Sequence, residues 1–298
     1  KVRRGPTTAS YGSARSRSKR YADSRARMPL ADIIAQQQRW ARTQWPGHSA
    51  SRAPTLASNL ITQMSAEFAS QFGGGSGGEL GRDGKPGKMQ SLRSSSALAF
   101  NVFAPWQGRD IGALARALRT QLRDHSVEFE RKFPHGLSSV PPNLDVVLDG
   151  EQSRPFAIES KFTEPYGNKK PDPPLDDKYF PGARERWSER GLPRCQRLAA
   201  ATGRSVVFSR LGVGQLLKHI LGLAHTTRER PRLLCLWFDS GCDEAQTHRG
   251  ELAQFADAVG DEIEFSHLTY QELFAALPAG SDPIPGYSAY LRARYAAV

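Results

Sequence analysis

The segment NLDVVLDGEQSRPFAIESKF, residues 143–162, restricts the possible folds of this chain more than any other stretch. Two short apolar runs, at 144–148 and 156–162, flank a polar turn containing Gly150 and Pro155, which is the pattern of a β-hairpin. Pairing Leu148 with Phe156 sets Asp145 opposite Glu159, because each lies three residues from its end of the loop. Opposed residues of an antiparallel pair share a face, with Cβ atoms about 4.5–5.5 Å apart. Side chains alternate along a strand, so Lys161 joins that face while Ile158 and Phe162 take the other.

Two carboxylates and an ammonium set among Val, Ile and Phe are expensive to bury unless something compensates them. A divalent cation would, and an all-oxygen donor set selects Mg²⁺ or Mn²⁺. The ion would polarise a phosphoryl oxygen and activate water, and Lys161 would orient that water or stabilise transition-state charge. The competing reading is a solvated charged face with a surface salt bridge. Against it, Asp145 interrupts an otherwise apolar run, and the charges of FAIESKF sit among Phe and Ile.

The rest of the chain divides by composition. Residues 1–28 carry nine Lys or Arg against one Asp, which is +8 of the net +11, and read as a basic, disordered tail. Such an arm either holds phosphates or is simply solvated. Residues 29–90 read as a helical extension with a Gly-rich linker. Its helices are expected at 29–45 and 56–70, and the glycine-dense stretch at 72–88 is expected to be a loop without the spacing of a phosphate-binding loop. Residues 91–298 read as one domain of alternating strands and helices. It has a helix at 110–122 capped by Asp110, strands at 127–133, 144–148 and 156–162, and a polar, Pro-rich surface excursion at 165–193.

Helices at 194–202 and 213–225 follow, with an extended RSVVFSRL between them, then strand 232–239, helix 246–259, strand 262–268 and helix 270–277. Thr269 and Glu272 have capping-box spacing. This alternation predicts an α/β sandwich with a central mixed sheet flanked by helices.

Other classes are excluded. No apolar run reaches the roughly 18 residues of a membrane span, so no membrane partner is expected, and the first residues lack the apolar block of a secretory signal. Cys195, Cys235 and Cys242 are odd in number and lack C-x-x-C spacing, which argues against a disulfide framework or a structural zinc site and for a reducing, cytoplasmic compartment. His219 and His225, six apart, make a poor metal pair on one helix and read as structural.

The arrangement D-x13-E-S-K between two apolar strands resembles the motif of the PD-(D/E)XK nuclease superfamily. The surrounding text, LRSSSALAFNVFAPW, FERKFPHGLSSVPPNLDVVL, AIESKFTEPY, QLLKHILGL and HLTYQELFAAL, resembles the bacterial PGN_0703-like restriction endonucleases over about residues 73–278. The resemblance implies a restriction-endonuclease-like fold, with residues 91–298 as the nuclease domain, and a Mg²⁺- or Mn²⁺-dependent endodeoxyribonuclease, possessing a role in restriction or defence. Asp145 and Glu159 would be metal ligands and Lys161 the catalytic lysine. A further upstream acid would be Glu79 or Glu130; their ordinary readings are a loop carboxylate and a salt-bridge partner. Leu144 stands where the superfamily name has proline, which is not a ligand.

Gln215 is a candidate polar helix residue at the site, its ordinary reading being a solvated helix start. Arg184, Arg186 and Arg190 are candidates for nucleic-acid contact, against a solvated helix face. The implied partner is DNA, with RNA and a homodimer also open. The alternative function is a catalytically silent DNA- or RNA-binding protein that keeps the nuclease fold.

Overall fold

The computed structural model describes residues 30–48, 51–75, 78–122, 125–137, 141–150, 153–167, 170–180, 184–227 and 229–296. The basic tail expected at 1–28 lies outside the described residues. Two short strands, β1 (Gly81–Arg82) and β2 (Lys85–Pro86), form a small hairpin. The central sheet holds β3 (His125–Lys132), β4 (Asn143–Gly150), β5 (Ser153–Lys161), β6 (Arg232–Trp237) and β7 (Glu264–Thr269), hydrogen-bonded in that order.

The first two pairings are antiparallel and the last two parallel, so the sheet is mixed. Tight connections suffice for the antiparallel half, whereas each parallel pair needs a crossover. The crossover from β5 to β6 contains α5 (Pro193–Ala201) and α6 (Val213–Thr227), and that from β6 to β7 contains α7 (Asp243–Val259). α8 (Tyr270–Ala276) starts where β7 ends, fixed by the expected capping box: Thr269 accepts from the Glu272 N–H and the Glu272 side chain accepts from the Thr269 N–H.

In β5, Phe156 through Ser160 are all buried. On one face Glu159 meets α6 through Gln215, and on the other Ser160 hydroxyl meets Tyr270 of α8 at 2.7 Å. Helices therefore flank the sheet on both sides of β5. The outer edge of β3 is closed by side chains: the Val127 N–H donates to Gln107 Oε1 and the Phe129 N–H to Gln71 Oε1. α6 lies close to the sheet because Gly222 faces Phe133; a Cβ there would stand 2.5 Å from the Phe133 carbonyl oxygen.

The N-terminal part contains α1 (Leu30–Gln44), α2 (Ala66–Gly74) and α3 (Ser95–Phe103). α1 buries Ile33, Gln36, Gln37, Trp40 and Ala41, a helical stripe, against the C-terminal turn Arg292–Ala296 that follows α9 (Tyr287–Leu291).

Four local expectations are corrected. The helix expected over 56–70 is a short turn, Ala57–Asn59, followed by α2, which starts at the Ser65 cap. Asn59 and Ser58 spend their side chains on backbone groups: Asn59 Nδ2 donates to the Met89 carbonyl and Ser58 Oγ to the Thr55 carbonyl. The helix expected over 110–122 is α4 (Gly112–Ala117), with Asp110 accepting from the Gly112 N–H just outside it. RSVVFSRL, expected to be extended, is largely turn and bend with an isolated bridge from Thr202 to Val206. The glycine stretch at 72–88 is partly structured, since α2 runs to Gly74 and β1 and β2 follow. All three cysteines are free and buried.

Candidate active site

The hairpin has the register read from its sequence: Leu148 pairs with Phe156, Val147 with Ala157 and Val146 with Ile158. The ladder stops there. Asp145 does not form a backbone pair with Glu159; its Oδ2 instead accepts from the Ser160 N–H at 2.7 Å. The side chain thereby substitutes for a strand partner, and β5 turns its other edge to β6, with Glu159 beside Cys235. Asp145 is half-buried at the wall of a cleft of about 910 Å³.

Glu159 is fully buried, at 0% exposure. Its two oxygens have different surroundings. Oε1 accepts from Lys161 Nζ at 2.5 Å and from Gln215 Nε2 at 2.8 Å, and Lys161 Nζ also reaches Gln215 Oε1 at 3.1 Å. Oε2 lies 3.1 Å from Nε2 of His219, within ion-pair distance, yet neither atom has an aligned hydrogen bond. Proximity alone does not make the bond, because a hydrogen bond weakens steeply once its N–H points away from the acceptor. Gln215 and His219 are four residues apart, so both project from the same face of α6.

Charge at the site is unbalanced toward the negative. Burial, reinforced by the Glu159 charge, raises the Asp145 carboxyl well above its ordinary value. Burial would raise Glu159 too, but the Lys161 ammonium and His219 hold it down at about 2. Burial would lower Lys161, yet the Glu159 and Asp145 carboxylates raise it, so its amine stays charged. Glu130 is pushed up to about 7, first by burial and then by Glu79 and Glu159, against a hydrogen bond from Asn143.

Both upstream acids considered from the sequence line the cleft. Glu130 occupies the position that the β3–β4 ladder skips, between the Phe129–Val146 and Arg131–Leu144 pairs, with a φ of 51°, a left-handed conformation that costs a non-glycine residue roughly 1–3 kcal/mol. Glu79 lies within the glycine-dense stretch, 4.0 Å from Lys88. The rim carries cations: Lys178 and Lys218 both line the cleft and lie 5.5 Å from the ring of Tyr179. The Pro-rich excursion adjoins this cleft and docks on α6, where Asp172 accepts from the Gly214 N–H.

Arg184, Arg186 and Arg190 are not among the residues lining the cleft. Arg184 and Arg186 reach Glu189 at 2.9 and 3.5 Å, and Arg190 reaches His225 at 2.6 Å. His219, read as structural from the sequence, stands inside the site. The signal was available, since it shares the helical face of Gln215.

The donor set fits a hard divalent cation. A buried carboxylate oxygen without an aligned partner, beside acids that repel one another, is an arrangement that bound positive charge would relieve. Among the described residues, no three His, Cys, Asp or Glu side chains form a ready cluster for a metal. Magnesium sites need no such cage, as the ion commonly takes one or two carboxylates and completes its shell with water and phosphate.

Comparison with curated proteins and with solved structures gave no significant match. A family model described as "Restriction Endonuclease associating with ARP" matches residues 19–296. The five-stranded mixed sheet with flanking helices is consistent with a restriction-endonuclease-like fold. The chain belongs to this restriction-endonuclease family.

Proposed function

We propose that this chain is a metal-dependent endodeoxyribonuclease of the PD-(D/E)XK type, with Asp145, Glu159 and Lys161 as its reactive centre. The observation that carries the reading is the convergence of these side chains at the broken end of the β4–β5 ladder, beside a cleft with an acidic wall and a lysine rim. Asp145 and Glu159 would hold Mg²⁺ or Mn²⁺. When bound, such an ion supplies Lewis-acid polarisation of a phosphoryl oxygen and lowers the pKa of coordinated water.

The chain's own groups do the remainder. Lys161, fixed by Glu159 and Gln215, presents a charged amine at 18% side-chain exposure and would stabilise charge gathering on the phosphoryl oxygens. Gln215 bridges the two, accepting from Lys161 and donating to Glu159. Lys178 and Lys218 at the rim suit the backbone phosphates of a nucleic acid, a contact that positions the strand without reading its sequence. DNA is the substrate that membership of a restriction-endonuclease family implies.

The test is cleavage of supercoiled plasmid, single-stranded DNA and RNA by the purified chain with Mg²⁺ or Mn²⁺, beside Asp145→Ala and Lys161→Ala. Metal-dependent cutting of DNA, lost in both variants, is expected. Salt-dependent binding with no cutting under either ion would instead identify a catalytically silent nucleic-acid-binding protein.

A further inference from the structure

His219 is one of the few polar side chains that the interior leaves unanswered. It is 2% exposed, and neither ring nitrogen has a hydrogen-bond partner. A buried imidazole in that state forgoes interactions that nearly all buried polar groups make. It lines the cleft, and Nε2 lies 3.1 Å from Glu159 Oε2, which also has no aligned hydrogen bond. Two orphans facing each other off the hydrogen-bond direction are poorly explained as an ion pair, which would align its N–H on the oxygen.

The spacing has another explanation. Nitrogen and oxygen donors bind first-row divalent ions at about 2.0–2.2 Å, so two adjacent donors of an octahedral shell stand about 3.0 Å apart. The separation of Glu159 Oε2 and His219 Nε2 agrees with this. The opposite oxygen of Glu159 is taken by Lys161 and Gln215, leaving Oε2 as the atom for the ion.

We infer that His219 donates a nitrogen ligand to the divalent cation of this site, beside Glu159, and so biases the site toward Mn²⁺ over Mg²⁺. Imidazole suits transition metals, whereas Mg²⁺ favours carboxylate, carbonyl and water. The inference rests on the metal-site reading given above and adds a ligand and a selectivity to it.

The test uses the full chain stripped of metal and loaded with Mn²⁺, examined by pulsed electron paramagnetic resonance for coupling to imidazole nitrogen. Calorimetry with MnCl₂ and MgCl₂ is run in parallel. Nitrogen coupling is expected in the parent chain, to change on labelling its histidines with ¹⁵N, to persist in His135→Gln and to vanish in His219→Gln. The preference for Mn²⁺ over Mg²⁺ should fall on the order of tenfold or more in His219→Gln, at least the loss that outer-shell changes produce. Mn²⁺ bound without nitrogen coupling, or coupling that survives His219→Gln, overturns the inference while leaving a carboxylate metal site standing. Absence of any divalent binding overturns both. If His219→Gln does not fold, the comparison of ¹⁵N-labelled parent and His135→Gln still decides: loss of the signal in His135→Gln assigns the ligand to His135 and overturns the inference, and retention upholds it.

Discussion

Arg294 and Glu159 are buried to the same degree, at 1% and 0% exposure, but their surroundings are finished differently. Arg294 donates to the carbonyl and side-chain oxygens of Asn59, to Gln37 Oε1 and to the Tyr290 hydroxyl, and its guanidinium lies 4.3 Å from the Trp40 ring centroid. Amide and hydroxyl oxygens and aromatic faces thus solvate that cation. Glu159 satisfies one oxygen and leaves the other beside an unpartnered imidazole, near Asp145 and Glu130, whose affinities for protons are raised. A completed polar network fastens α1 to the C-terminal turn. An incomplete one accumulates negative charge where a cation and a phosphate would complete it.

The largest expected effect lies at the incomplete end. Asp145→Ala and Lys161→Ala should each lower metal-dependent DNA cleavage by about 10³-fold, with Asp145→Ala also lowering the melting temperature of the metal-free chain, because it leaves the buried Ser160 N–H without its acceptor. Cleavage assays with thermal melts read both. At the completed end, Arg294→Met strands the oxygens of Asn59 and Gln37 and should cost about 3 kcal/mol of unfolding free energy. Denaturant titration measures it, and cleavage per folded molecule should be unchanged.

Gly222→Ala tests the link between the two kinds of region, because it pushes α6 away from Phe133. It should cost about 2 kcal/mol and also lower cleavage, since Gln215 and His219 ride on the same helix. The smallest effect is a pH dependence. Glu130 titrates near 7 in the fold and near 4.5 when unfolded, so between these values the folded chain retains a proton that the unfolded chain has lost. The stability of the metal-free chain should therefore fall as pH rises from 4.5 to about 7. A full single-proton difference is worth about 1.4 kcal/mol per unit; screening at this half-buried group reduces the expected total to about 1 kcal/mol. Melts across this range should show a shallower fall in Glu130→Gln.

The hairpin register was legible because pairing Leu148 with Phe156 across the polar turn gathers the charged residues on one face and leaves Ile158 and Phe162 on the other. That pairing is formed, as is the shared location of Asp145, Glu159 and Lys161. The premature end of the ladder was not legible: the choice of Asp145 to accept from the Ser160 N–H is made by tertiary competition, which alternation does not encode. The helix expected over 56–70 failed for a related reason, since the apolar spacing was helical while Asn59 was committed to Met89, Ser91 and Arg294 far away in sequence. His219 is legible only through Gln215, four residues away on the same helical face, because the group it faces, Glu159, lies on another element.

The contrast between the finished and unfinished networks is tested most directly by calorimetric titration of the metal-free chain with Mn²⁺ at neutral pH, in buffers of different ionisation enthalpy. One ion should bind with release of protons from the acids that hold them, and the heat should disappear in Asp145→Asn. No binding, or binding that Asp145→Asn leaves intact, would contradict the assignment of this cluster as a cation site.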